Sequence, residues 1–439
     1  MSVAVVAGGG IAGILSALLL SESERFKKII LIEKNDVLGG LLNSSVTEEG
    51  YSFDCGTHLL GETGILELDE LLLKDVMNDW KLISPLKVST YFNGTIQHEG
   101  PCIDARLIDE PLYYKGVVEL LNSKPVEEGR IDNLADQLVM EYGQTFADEL
   151  FARTIKKLFN TTADQLIPGA HELFVPRRIK ILAEHISAEL KGSPYLDSKI
   201  AFHQIVDQRR SYYPHSGGIG QWISILEDRL RRNGIEVILN DHIRQVVHEN
   251  GKVRAVRTST EEIALDQLVW SIPPGILYKM VKQDGTVKMP KIRKVKLFHF
   301  VFDAPFNCDC AYLNNYDQTF SSFRITFYAN MNSEHNGYRC TVEVLFSDDH
   351  CDIRAETIVD ELKRMQVLKD LSNLLYCKTE ELPTGFPLLT KQYVNELNEQ
   401  VSYINQNFNN VLMVGKSNGS GFFLNDVLIN TYHSVKELG

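Results

Sequence analysis

Three glycines and one acid, at fixed spacing, are the residues of this chain best suited to chemistry. A short apolar strand, Val3 to Ala7, runs into Gly8-x-Gly10-x-x-Gly13. An apolar helix follows from Ile14 to Leu20, and a second apolar strand, Ile29 to Ile32, ends on Glu33. Gly8 permits a tight turn. Gly10 lets the backbone approach a pyrophosphate where any Cβ would collide, and Gly13 lets the helix pack closely on the strand. The helix start, with the N–H groups of Ile11 and Ala12, turns open donors and the positive end of a dipole toward a phosphate. Glu33, twenty residues beyond Gly13, can accept hydrogen bonds from a ribose diol and would repel the extra phosphate of NADP. A plain glycine-rich turn before a helix is the alternative. The order strand, turn, helix, strand, acid argues for a dinucleotide site instead.

The next residues narrow the choice of dinucleotide. Glu33 is followed by Lys34-Asn35-Asp36-Val37-Leu38-Gly39-Gly40-Leu41, and later by Asp54-Cys55-Gly56-Thr57-His58. The glycine pair is not needed for NAD. It resembles the second glycine motif of the FAD enzymes of the amine oxidase, protoporphyrinogen oxidase, phytoene desaturase and UDP-galactopyranose mutase superfamily. The Asp-x-Gly-x-His run is similar to a segment that lies beside the flavin in that group. Leu41 departs from the pattern, which usually has a basic residue there.

The resemblance continues along the chain. Asn133 to Leu166, with a central Gly143, is similar to a helical segment of the superfamily. Tyr213-Pro214-His215-Ser216-Gly217-Gly218 resembles its Tyr-Pro-x-x-Gly-Gly segment. Trp270 to Pro274 looks like the strand and turn that return to the cofactor domain, and Val411 to Lys416 like the strand and glycine that close over the flavin. Asn425 and Asp426, after Gly421-Phe422-Phe423-Leu424, resemble the C-terminal flavin motif.

The resemblance implies FAD as cofactor. It also implies a contact set of Gly8, Gly10, Ile11, Ala12, Gly13, Glu33, Lys34, Gly39, Gly40, Leu41, Gly56, Thr57, His58, Gly415, Asn425 and Asp426. No cysteine follows Cys377, so covalent attachment of the flavin near the C-terminal motif is not expected.

Two residues stand out as candidates for the reaction itself. His58 follows the flavin-side turn and could move a proton near neutral pH; the bland alternative is a histidine that holds the loop. Arg324 is the one cation in the apolar run Phe323-Arg324-Ile325, where a fixed guanidinium suits a carboxylate or phosphate; the alternative is an outward-facing arginine on a strand. Tyr213 is expected to line the substrate site, although an aromatic beside a glycine turn is often core. Three functions compete. The first is an FAD-dependent oxidoreductase that moves hydride from a small organic substrate to flavin N5. The second is a non-redox enzyme resembling UDP-galactopyranose mutase, acting on a nucleotide sugar. The third is a flavoprotein that binds or senses without turnover.

Composition limits the rest. The chain has 439 residues and a net charge of −13 with no basic run, which argues against nucleic acid as a partner. Seven cysteines are scattered along it, an odd count that does not suit a disulfide framework and suggests a reducing, cytoplasmic setting. Cys308-Asp309-Cys310 is too tight for zinc CxxC spacing, and no metal site is expected. Ile11 to Leu20 lacks the basic flank of a signal peptide, and no stretch is long enough to span a bilayer.

The elements that must position these residues follow from periodicity. The chain is too long for one core. We expect an α/β fold: a Rossmann-type FAD-binding domain from residues 1–90, 206–285 and 386–439, and an α+β substrate domain from 91–205 and 286–385. Both are discontinuous. Helical spacing marks 65–77, 221–232, 352–375 and 426–435, and helices are expected from about 117. Strand alternation marks 237–240, 243–249 and 253–258, with an Asn250-Gly251 hairpin turn, and then 296–302, 322–329 and 339–346 as an antiparallel wall.

Overall fold

The computed structural model describes residues 2–98, 100–125, 131–201, 209–282, 287, 290–334, 336–348, 350–419 and 421–438. The expected domain boundaries at 205/206 and 285/286 lie outside the described residues. The chain divides into two units. The first is Met1–Leu82, Arg209–Met289 and Gln392–Gly439; the second is Ile83–Gln208 and Pro290–Lys391.

The first unit is built on a five-stranded parallel sheet. Its order is Glu236–Ile238, Lys28–Ile32, Val3–Ala7, Gln267–Trp270, Val411–Met413. Val3–Ala7 sits in the middle, with Ala7 opposite Ile32 on one side and Trp270 on the other. This register brings the loops after three strands to the same edge of the sheet, which is where open α/β sheets bind ligands. One sheet face buries Val5, Ala7, Ile30, Ile32, Leu268 and Trp270 in a common core. The helix Ile11–Glu22 is apolar nearly all round and is buried from Ala12 to Leu20. That suits its position, since Gly220–Arg232 and Leu424–Lys436 both pack against it. The hairpin Gln245–Glu249/Lys252–Arg257 turns at Asn250 and Gly251, both at positive φ (50° and 71°), as the Asn-Gly pair predicts.

The second unit carries a seven-stranded sheet. Its order is Leu374–Pro387, Ile292–Phe302, Tyr338–Phe346, Ser322–Phe327, Tyr312–Asn315, Val88–Phe92, Thr95–Gln97. Phe298, Phe300, Ile325, Phe327, Val342 and Val344 line one apolar cluster, which Ile358 and Leu362 of the helix Ala355–Arg364 also join. Helices Glu110–Asn122 and Leu134–Tyr142 belong to the same unit. Gly143 ends the latter at φ 83°, where a Cβ would lie 2.4 Å from Glu119 Cβ.

Four expectations shift. The expected boundary at residue 90 moves to 83, because Val88–Phe92 pairs with Tyr312–Asn315 in the second sheet. The first long helix there begins at Glu110 rather than 117, started by a proline in its first turn. The helix expected at 352–375 ends at Arg364. The expected boundary at 386 moves to 392, because Leu374–Pro387 is an edge strand paired to Ile292–Phe302 in the second sheet.

Candidate dinucleotide-binding site

The glycine turn has the geometry its spacing demands. Gly8 takes φ 98°, and its N–H donates to Ile32 O at 2.9 Å, closing the turn between the two strands. A Cβ on Gly13 would lie 1.9 Å from Gly8 O, so only glycine lets the helix sit this close to the turn. Gly10 differs from both. It caps the helix at φ −70°, ψ 175°, a conformation open to any residue, and a Cβ there would meet no described residue within 4 Å. Its role is therefore not internal packing. It borders open space at a helix N-terminus. The first intrahelical bond runs from Ile14 N–H to Gly10 O (3.0 Å), which leaves the N–H groups of Ile11, Ala12 and Gly13 at the helix's open end.

Glu33 closes one side of this opening. One carboxylate oxygen accepts from Gly9 N–H at 2.7 Å and the other from Asn35 N–H at 3.0 Å. The side chain is half-buried, and Lys34 beside it is exposed. Each carboxylate oxygen retains acceptor capacity for a ribose hydroxyl. Gly9 escaped the sequence reading because the motif treats that position as variable; here a Cβ would lie 2.9 Å from Glu33 Cβ and 2.5 Å from Leu38 Cδ2. The glycine pair reaches the same opening. Gly39 N–H donates to Gly9 O (2.8 Å) and bridges to Gly10. A Cβ on Gly40 would point to within 4.0 Å of Gly10 Cα. Leu41 is partly exposed.

The Asp54 to His58 loop is fastened rather than free. The Asp54 carboxylate accepts from Ser44 Oγ (2.7 Å), Tyr213 Oη (2.7 Å) and Ile219 N–H (3.0 Å), and Ser44 Oγ accepts from Gly220 N–H (2.8 Å). A Cβ on Gly218 would fall 2.2 Å from Asp54 Oδ1, which explains the small residue. Tyr213, expected to contact substrate, is fully buried with its hydroxyl on Asp54. It acts as a fastener of this loop. Trp222 is core, its Nε1–H on Leu72 O. Gly56 is buried at φ 108°, and Thr57 and His58 are half-buried just beyond it.

The C-terminal motif reaches the same region. Gly415 has φ 64°, and a Cβ there would lie 2.7 Å from Ala12 Cβ in the first turn of the N-terminal helix. Asn425 Nδ2 donates to Glu62 O (3.0 Å), tying the start of Leu424–Lys436 to the strand Leu60–Gly61. Asp426 occupies the first turn of that helix, where its charge favours the helix dipole. Ser271, missed in the sequence, donates from its hydroxyl to Ala7 O (2.8 Å) and lies against Gly8. Its only sequence signal is a small residue where the returning strand meets the glycine turn.

Residues 6–67 match a family described as the NAD(P)-binding Rossmann-like domain. A reduced UDP-galactopyranose mutase has the same fold at a TM-score of 0.75 and 16% identity, covering 99% of this chain and 93% of that one. A candidate protoporphyrinogen oxidase from an Exiguobacterium species gives 0.71 and 16%, covering 100% and 98%. The chain therefore shares the fold of these two solved structures along its whole length. Among curated proteins, a 4,4'-diapolycopen-4-al dehydrogenase from Metabacillus indicus is 26% identical over 286 residues, 60% of this chain and 54% of that protein. The chain thus spans about half the length of the curated relative it matches.

Within this fold, Arg324 lies in the second unit on the strand Ser322–Phe327. Its side chain is 20% exposed and its guanidinium already engaged. Nε donates to Asn314 Oδ1 (3.0 Å), Nη1 stands 4.0 Å from Glu343 Oε1, and the group lies over the rings of Phe323 and Tyr312. It is neither the outward-facing residue nor an uncompensated anion hook. Nearby strands bury a further polar set: His299 Nδ1 and the Tyr328 hydroxyl both meet Thr341 Oγ1, at 2.9 and 2.8 Å. Burial pushes His299 down to about 3, so its ring is neutral at pH 7. Among the described residues no group of three or more His, Cys, Asp or Glu is arranged to hold a metal. No helix among them is long and apolar enough to cross a membrane.

Proposed function

We propose that this chain is an FAD-dependent oxidoreductase of the amine oxidase/protoporphyrinogen oxidase type, acting on a small organic substrate. The observation that carries the reading is the open space at Gly10, bordered by a helix N-terminus, Glu33 and the Gly39-Gly40 turn. In the proposed complex the N–H groups of Ile11 and Ala12 bind the diphosphate. Glu33 holds the ribose hydroxyls. The start of Leu424–Lys436, with Asn425, turns a positive helix end toward the pyrimidine edge of the ring. FAD held there would supply the two-electron chemistry. His58 is the proposed proton carrier on the flavin side, and the loop behind it is held by Asp54, Ser44 and Tyr213 so that its position is fixed.

The dehydrogenase relative supports redox chemistry, and its name points toward an apolar aldehyde among the substrates to try. The nucleotide-sugar alternative needs an arginine free for a diphosphate. Arg324, the residue that suggested it, faces Glu343 and Asn314. The test is the visible spectrum of the purified flavin, followed without oxygen as amines, apolar aldehydes and UDP-sugars are added in turn. Bleaching by one of them supports the oxidoreductase and names its substrate class. Conversion of a UDP-sugar only after prior reduction would favour the mutase. A protein that cannot be loaded with FAD overturns the reading.

A further inference from the structure

The second unit contains a feature that the proposed flavin chemistry does not use. Cys308 and Cys310 flank Asp309 in a bend whose main chain is held on all sides. Asn330 Nδ2 donates to both Cys308 O (2.9 Å) and Cys310 O (2.8 Å). Ala311 N–H donates to Lys87 O, and Asn307 N–H to Val367 O. Asp309 points outward into an ion pair with Lys87 at 2.5 Å. The two cysteine side chains point inward together, into the apolar cluster of the sheet. Their sulfurs are 2.9 Å apart, and both cysteines are unbonded.

We propose that Cys308 and Cys310 form a redox site, a dithiol that hydrogen peroxide converts to a disulfide. The sulfurs have to close by roughly 1 Å to reach the S–S bond length of about 2.0 Å. The environment separates the two roles. The hydrogen bond that the two sulfurs share favours a single thiolate on the pair. Cys308 is the more exposed of the two, so it is the attacking sulfur and Cys310 the resolving one.

The Cys308 thiolate attacks one peroxide oxygen, the O–O bond breaks, and hydroxide leaves, giving a sulfenic acid. The Cys310 sulfur then attacks the Cys308 sulfur. The S–S bond forms, the S–O bond breaks, and the oxygen leaves as water with the Cys310 proton. Two thiols lose two electrons and two protons, and one peroxide becomes two waters. Cys308 is 6% exposed and Cys310 1%, which admits an oxidant as small as peroxide and disfavours a bulky disulfide.

The experiment uses the full chain, fully reduced, exposed to graded hydrogen peroxide, then denatured and alkylated before tryptic digestion. The peptide 297–324 carries both cysteines and no other. We expect it to lose the mass of two hydrogens and escape alkylation, at peroxide levels that leave the exposed, solitary Cys377 a thiol. Dithiothreitol should restore it. Cys310→Ser should instead retain one added oxygen on Cys308, captured by dimedone, and Cys308→Ser should stay unreacted. A wild-type peptide that remains doubly alkylated while Cys377 is oxidised overturns the proposal. So does oxygen addition to both sulfurs without a disulfide. The wild-type measurement decides the matter even if neither serine variant folds.

Discussion

Two glycines three residues apart in one turn should fail in opposite ways when substituted. Gly13→Ala places a methyl 1.9 Å from Gly8 O and 3.1 Å from Gly8 C. Both are backbone atoms of a closed turn, so the helix must shift; overpacking of this kind costs about 1–3 kcal/mol. The Cβ of Gly10→Val meets no atom of the described residues within 4 Å and needs no change of φ. A non-polar residue at a helix cap costs about 0.5–1 kcal/mol relative to glycine, and the stiffer unfolded chain returns about 0.4–1 kcal/mol, so the apo protein should be nearly unchanged. The loss appears only with cofactor. A side chain in that space moves the diphosphate off the helix N–H groups. Losing two hydrogen bonds to a charged group costs about 3–6 kcal/mol, on the order of a hundredfold to ten-thousandfold in FAD affinity. Thermal melts of the two apo variants, together with flavin titration, separate the cases. Apo proteins must be compared, because bound cofactor itself stabilises the fold. A Gly10→Val protein that purifies with full flavin refutes the placement of the diphosphate. One that loses flavin and also melts as early as Gly13→Ala refutes the claim that the space at Gly10 is empty of protein.

Further substitutions probe the other contacts. Glu33→Ala should weaken FAD by about 1.5–3 kcal/mol for each charge-assisted bond lost; unchanged affinity in a titration would remove Glu33 as the ribose ligand. Arg324→Ala should leave FAD content intact and raise substrate KM if the guanidinium meets substrate, whereas a normal KM would confine it to bracing Asn314 and Glu343. Burial depresses His171 to about 4 and His299 to about 3 in the folded state. Each therefore contributes stability that is fully present above the unfolded value of about 6.5 and is lost as pH falls below it, on the order of 3 kcal/mol each by pH 4. Melting the wild type from pH 7 to pH 4 should show the loss, and His171→Phe, which removes two buried ring nitrogens without hydrogen-bond partners, should flatten part of it. A pH profile unchanged by His171→Phe would exclude His171 as a contributor.

What could be read from the sequence divides along a physical line. The first βαβ unit was legible because its chemistry and its backbone geometry use the same residues. Gly8 and Gly39 are required by the positive φ of local turns and Gly13 by its close approach to Gly8, and Glu33 falls at a strand end that its own apolar run defines. The Asp54 to Tyr213 bond joins residues 159 positions apart. Neither residue type announces a partner, and so Tyr213 was expected at the substrate rather than beneath the loop. The environment of Arg324 was hidden for a related reason. Strand alternation placed Arg324 on a sheet, but its neighbours are set by register, Asn314 on one side and Glu343 on the other. A slip of one residue would turn every side chain to the opposite face. Register depends on which strands pair, and a strand such as Leu374–Pro387, recruited through its backbone with little apolar pattern of its own, carries no local record of that choice. The same limit covers Cys308 and Cys310. Their spacing excluded a zinc site from the sequence, yet the clamp by Asn330 that turns both sulfurs inward exists only once Tyr312–Asn315 and Ser322–Phe327 have paired. Chemistry that needs only a local turn can be read from one sequence; chemistry that needs two distant segments to agree in register has to be seen in the fold.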